Sequence, residues 1–206
     1  MLILKVEKTS TKESVLFTKN RIFLTFTLFL LLGLPASFIP EETYLKWLLI
    51  NFIIAVLLTV VNYMIWTKQK HDSKRYFSLH SFVMMLGLAF YATSPILRLI
   101  FPSMYFWILL GGLILYTVFL VSKYDAIAGG LLNPRKKGFK LLVFSFFAIV
   151  FVAGSSIWGY MLASDAAPVN EVAIIMFFLG LFLLMVAPSM LVTPERAEEL
   201  KAPQHN

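Results

Sequence analysis

The chain has 206 residues, of which 59% are hydrophobic, 16% aromatic and only 14% charged, with a mean hydropathy of +0.81. Soluble domains carry roughly a quarter charged residues, and twenty Phe cannot all hide in the core of a 23.5 kDa globule. Composition therefore excludes a soluble protein and selects an integral membrane one.

No cysteine is present, which excludes disulfides, thiolate metal sites and Cys nucleophiles together. A net charge of +7 would suggest nucleic-acid binding in a soluble chain. Here the positive residues lie in the segments between apolar runs, so no nucleic-acid partner is expected.

Residues 1–21 form a basic arm carrying Lys5, Lys8, Lys12, Lys19 and Arg21. Ser10 with Glu13 three residues on matches a capping box ahead of Val15-Leu16-Phe17, predicting a helix on the membrane face that runs into the first span. The charged lead-in is too long for a signal peptide, and further spans follow. "LPAS" at 34–37 is the nearest approach to a cleavage site, and its use would leave five spans.

Charged residues then act as a ruler. Arg21 to Glu41 encloses 19 uncharged residues, Lys46 to Lys68 encloses 21, and Arg75 to Arg98 encloses 22. Arg98 to Lys123 and Lys140 to Asp165 each enclose 24, and Glu171 to Glu195 encloses 23. A helix needs roughly 17–25 residues to cross the hydrocarbon. Barrel strands would alternate over about ten residues, and "LLINFIIAVLLTVV" (48–61) does not. The sequence predicts an all-α integral membrane protein with six transmembrane helices near 22–40, 47–67, 76–97, 103–122, 141–163 and 172–193. Residues 194–206 form a tail, and no soluble domain is expected.

Sixteen of the eighteen Lys and Arg fall in the arm, the 68–75 and 123–140 loops and the tail, leaving Lys46 and Arg98 on the other side. The positive-inside rule then places both termini in the cytoplasm. Without a cleavable signal, such a Lys- and Phe-rich chain suits the cytoplasmic membrane of a bacterium.

Within the second span, Asn51 and Asn62 are eleven residues apart, which at 100° per residue returns to within about 20°. Both amides share a face with Ala55 and Leu58, and that face is expected to look into the bundle or at a partner helix. Two uses fit: hydrogen bonding between helices, or the lining of a solute pocket.

The third span ends in "SPILRLIFP" (94–102). Pro95 is expected to kink it, with Ser94 bonding the carbonyl so freed. Arg98 lies about 33 Å from Tyr76 at 1.5 Å per residue, which predicts a cation snorkelling at the far interface. His71 and His80 read as loop and interface residues with no zinc spacing.

The segment "YDAIAGGLLNPRKKGFK" (124–140) is the long polar interruption. Two glycines followed by basic residues fall short of a phosphate-binding loop. The expectation is a topology determinant, with Arg135, Lys136, Lys137 and Lys140 on anionic headgroups. Ile127, Leu131 and Leu132 would lie in the interface as a helical turn broken by Gly129-Gly130.

In the fifth span "AGSSIWG" (153–159) offers Gly154, Ser155 and Gly159 for close helix packing, and Gly111-Gly112 would serve the fourth span similarly. The first and sixth spans carry large apolar residues and read as lipid-facing.

No bis-His pair, paired carboxylate or nucleophile with a base is apparent, so no catalytic residue, metal or cofactor is expected. Three functions remain. The first is a non-enzymatic protein that binds another membrane component, as an accessory, assembly or immunity-type subunit with a membrane-protein partner or as a homo-oligomer. The second is a small-solute transporter or membrane-embedded solute-binding component using Asn51, Asn62, Ser94 and Arg98. The third is a lipid-acting enzyme built on Asp125, His71 and the basic loops.

Overall fold

The computed structural model describes residues 14–134, 137–163 and 171–201. Among them every element is helical: α1 (Ile22–Ser37), α2 (Tyr44–Gln69), α3 (Ser73–Ile100), α4 (Met104–Ser122), α5 (Tyr124–Leu132), α6 (Lys137–Ala163), α7 (Glu171–Val186) and α8 (Pro194–Lys201). Single 3-10 turns stand at Phe17–Lys19, Glu41–Thr43 and Ala187–Leu191. Six of these segments are long and apolar enough to cross a membrane. The short α5 and α8 are not among them. The proposed capping box at Ser10 and Glu13, and Arg135 and Lys136, lie outside the described residues.

The helices alternate in direction, and polar bonds tie together the loops at one end. Val15 N–H donates to Lys70 O (2.6 Å), Arg75 Nη1 to Leu191 O (2.8 Å), and Ser78 Oγ to Met190 O. Arg196 clasps Asp125 with two bonds of 3.0 Å. This is the basic end of the molecule. At the opposite end Arg98 reaches Ala36 O, and Tyr160 donates to Leu99 O.

α3 is the hub, with 56% of its apolar window buried against 17% for α2 and 22% for α4. Small residues make this possible. A Cβ on Gly87 would stand 2.6 Å from both Leu58 Cδ1 of α2 and Phe29 Cε1 of α1, so these helices reach α3 only because that atom is missing. On the other flank, a Cβ on Gly180 of α7 would lie 2.6 Å from Thr93 Cγ2 and 3.1 Å from Ala89 O. Asp72 starts α3 by accepting Arg75 N–H (3.0 Å), a side-chain cap that satisfies a first-turn donor.

Three expectations are corrected by this packing. α1 and α7, expected to be lipid-facing, are each 39% buried. Apolar composition reveals only that a helix avoids water, whereas small residues on one face, such as Gly33, Ala36 and Ser37 of α1, admit a neighbour. Next, α5 runs straight through Gly129-Gly130 instead of breaking there, and both glycines are buried. A Cβ on Gly130 would be 2.4 Å from Phe139 N, and one on Gly138 2.0 Å from Ala126 O, so the backbones of α5 and α6 touch. Finally, of Gly154, Ser155 and Gly159, the three expected to pack closely in α6, only Gly159 packs on another helix, against Tyr105, while Ser155 is exposed and Gly154 has open space where a side chain would stand. The buried face of α6 is Leu142, Ile149, Ala153, Ser156 and Ile157.

Candidate functional site

The polar chemistry inside the membrane gathers in the three-helix unit α1–α3, in two clusters. At the opposite end, Asn51 of α2 donates from Nδ2 to Ser37 Oγ (2.8 Å) and Gly33 O (3.1 Å), and Ser37 Oγ donates onward to Gly33 O (2.7 Å). Tyr91 of α3 donates to the Asn51 carbonyl (2.8 Å). Ser94 Oγ donates to Tyr91 O (3.3 Å), the carbonyl that Pro95 leaves without its helical N–H.

Arg98 continues this cluster. Its Nε donates to Ser94 O (3.2 Å), one Nη2 hydrogen goes to Ala36 O at the end of α1, and its guanidinium lies 4.4 Å from the Trp47 ring centroid. That distance is within cation–π range. Nη1 is buried with no partner, and among the described residues no carboxylate pairs with the guanidinium. Asn51 Oδ1 is likewise buried and unpartnered. Beside this cluster an apolar groove of about 400 Å³ opens between α1 and α2, with Gly33, Leu34, Leu45 and Asn51 among its walls.

The second cluster lies toward the basic end. His80 Nε2 meets Thr25 Oγ1 at 2.7 Å, and its Nδ1 is 3.5 Å from Tyr76 Oη. Tyr76 gives its own proton to Asn20 O. Thr25 Oγ1 also lies 3.9 Å from Met84 Sδ, so His80 and Thr25 share one hydrogen bond across the α1–α3 seam. Asn62 is fully buried, and neither its Oδ1 nor its Nδ2 has a partner. It stands nine residues before His71 in the α2–α3 turn and His80 nine after, so the two are level in the hairpin. Leaving a buried amide unpaired costs about 1–3 kcal/mol.

Among the residues singled out from sequence, Asn51, Ser94 and Arg98 come together, and Asn62 lies about 16 Å further along α2 at 1.5 Å per residue. Gly154, Ser155 and Gly159 are on α6, apart from both clusters. Lys137 and Lys140 begin α6 at the basic end. His80, read as an interface residue, is 3% exposed and holds α3 to α1. Sequence reasoning missed Ser37, Tyr91 and Trp47 in one cluster and Thr25, Tyr76 and Asn20 in the other. Tyr76, His80 and Met84 recur every four residues, a stripe that marks one helix face.

At the surface of the basic end, the Asp125 and Glu199 carboxylates raise the Arg196 guanidinium above its ordinary pKa through hydrogen bonds and charge. Asp125 is thus a partner of α8. Among the described residues no group of three or more His, Asp or Glu is placed to hold a metal ion. Comparison with protein-family models, curated proteins and solved structures finds no match for this chain.

Proposed function

We propose that this multi-pass protein acts by binding another membrane component, without catalysis, and that the component is a small anionic amphiphile received between α1, α2 and α3. The observation that carries this is the Arg98 guanidinium, held by Ala36 O and Ser94 O, stacked on Trp47, and left with an unpartnered buried Nη1. A cation with no described counter-charge inside a membrane protein is costly and marks a site for charge. An acidic headgroup supplies that charge, Asn51 Oδ1 accepts from a hydroxyl or amide beside it, and the α1–α2 groove takes an apolar tail. Carriage of such a molecule across the membrane is the transport form of the same reading.

The test is native mass spectrometry of the full chain with dodecanoate or dodecyl phosphate against uncharged dodecanol. Retention of the anions is expected, with Arg98→Gln weakening it by about tenfold or more, as a charge-assisted hydrogen bond of roughly 1.5–3 kcal/mol requires. Equal retention of dodecanol, or anion binding indifferent to Arg98→Gln, overturns the reading.

One observation favours a second reading, an accessory subunit with a membrane-protein partner. Gly111 of α4 and Gly154 of α6 both have open space where a side chain would stand, beside exposed Trp107, Phe151 and Trp158. Such a notch on an outward surface suits a neighbouring helix. Cross-linked affinity capture from native membranes tests it: a stoichiometric partner lost on Gly111→Ile with Gly154→Ile supports the subunit role, and capture unaffected by both rejects it.

The basic end is proposed to face the cytoplasm, in a bacterial cytoplasmic membrane. The cysteine-free chain allows a direct check. A single Cys at Lys137 is expected to resist an impermeant maleimide in intact cells, and one at Glu42 to react. The reverse pattern inverts the topology.

A further inference from the structure

A cleft of about 1020 Å³ opens at the basic end between residues 14–26, Thr59 of α2 and the first turns of α3 at Ser73 and Phe77. It is separate from the Arg98 cluster and does not rest on the reading of that site. Its outer wall is pinned: Val15 bonds Lys70 O and accepts Trp66 Nε1–H (3.1 Å), and Phe17 packs edge-on against Trp66 at 5.4 Å.

The N-terminus of α1 opens into this cleft. Ile22 N–H is capped by Asn20 Oδ1 (3.1 Å), while Phe23 and Leu24 N–H, both on cleft-lining residues, have no carbonyl partner. Asn20 is right-handed and Arg21 left-handed, with φ 58°; of the backbone N–H groups this pairing turns inward, Asn20 N–H donates to Phe17 O (3.4 Å) and Ile22 N–H to Asn20 Oδ1, which leaves Arg21 N–H beside those of Phe23 and Leu24. A non-glycine residue at such a φ is strained.

Charge makes the same point. A helix N-terminus carries partial positive charge and favours acidic neighbours. Here the first turn holds no acid, and Lys19 and Arg21 stand beside it without a described carboxylate partner. Asp72, next to cleft-lining Ser73, is engaged in capping Arg75 N–H. Independently, Asn20 lines the cleft, is only 6% exposed, and its Nδ2 is without a partner. First-turn donors and two cations thus stand together where no described carboxylate answers them. The lower walls, Phe23, Phe26 and Phe77, are apolar and belong to membrane-spanning helices.

We propose that this cleft binds the phosphate of an anionic membrane phospholipid, with the headgroup at Lys19, Asn20, Arg21 and the α1 N-terminus and the acyl region along Phe23 and Phe26. The mixed lining commits the site to a lipid: a free phosphate ion would gain nothing from the aromatic walls.

The experiment is native mass spectrometry of the full chain in neutral detergent with phosphatidylglycerol, phosphatidylcholine or inorganic phosphate. Selective retention of phosphatidylglycerol is expected. Lys19→Gln with Arg21→Gln should weaken it about twenty-five-fold, from roughly a factor of five per charge near a lipid surface. Lys137→Gln with Lys140→Gln should leave it unchanged. Arg21→Gly keeps the proposal falsifiable should the double variant misfold, because glycine suits the left-handed backbone and preserves the fold while removing one charge. It is expected to lose about fivefold in lipid retention with no loss of thermal stability. Equal retention of both lipids overturns the proposal, as does inorganic phosphate binding without lipid binding. So does a loss on Arg98→Gln with none on the Lys19 and Arg21 changes, an outcome that would leave the Arg98 reading standing alone.

Discussion

The α1–α3 unit and the α4–α6 unit solve the same problem differently. In the second, apolar side chains from Leu109 to Leu120 of α4 interlock with Ile149 to Ile157 of α6, and α5 is sealed to α6 backbone on backbone through Gly130 and Gly138. Its described unpartnered buried polar atom is Tyr116 Oη. The first unit instead holds Asn20, Asn51, Asn62 and Arg98, each with at least one buried polar atom unsatisfied. Two neighbouring bundles in one chain therefore differ in what they are built to tolerate. One is packed for stability, and the other carries polar groups whose desolvation its own fold does not fully offset.

That contrast can be broken most sharply at Gly138. Replacing it with Ala puts a Cβ 2.0 Å from Ala126 O, a backbone atom that cannot swing aside. Gly138→Ala should cost about 3 kcal/mol or more in denaturation in mixed micelles; a neutral outcome would mean that α5 does not dock as described. Gly180→Val attacks the α3–α7 seam, where the obstacle is partly the movable Thr93 methyl, and should cost about 2 kcal/mol by the same measurement.

Opposite signs are expected within α2. Asn62→Leu removes an unpaired buried amide and should stabilise the chain by about 1 kcal/mol. Asn51→Leu removes donors to Gly33 and Ser37 and should destabilise it by about 0.6 kcal/mol per bond lost. Equal effects from the two would erase the distinction between a structural and an uncommitted amide. Asp125→Asn, the smallest change, touches an exposed pair. It should leave the thermal midpoint unmoved while increasing protease cleavage of α8, since solvent screens such pairs.

Much of this architecture was legible in residue order, and the reason differs by feature. Charge-free windows mark the spans because burying an ion in hydrocarbon is prohibitive, and six described helices are long and apolar enough to cross a membrane. Helical periodicity put Asn51 and Asn62 on one face, and both are buried. It was silent on the His80–Thr25 bond, which joins residues 55 apart in the chain. It also could not tell that Ser37, sitting in an apparent cleavage motif, is the hinge of the Asn51 network.

Hydrophobicity and charge spacing by themselves determined that this is a six-helix membrane protein with its cations massed at one end, because the bilayer acts on each segment separately. Which helix is central, which glycines are contact points and which polar groups lack a partner were decided only by the tertiary structure. Those properties belong to pairs of helices, and a segment read alone carries no record of its neighbour.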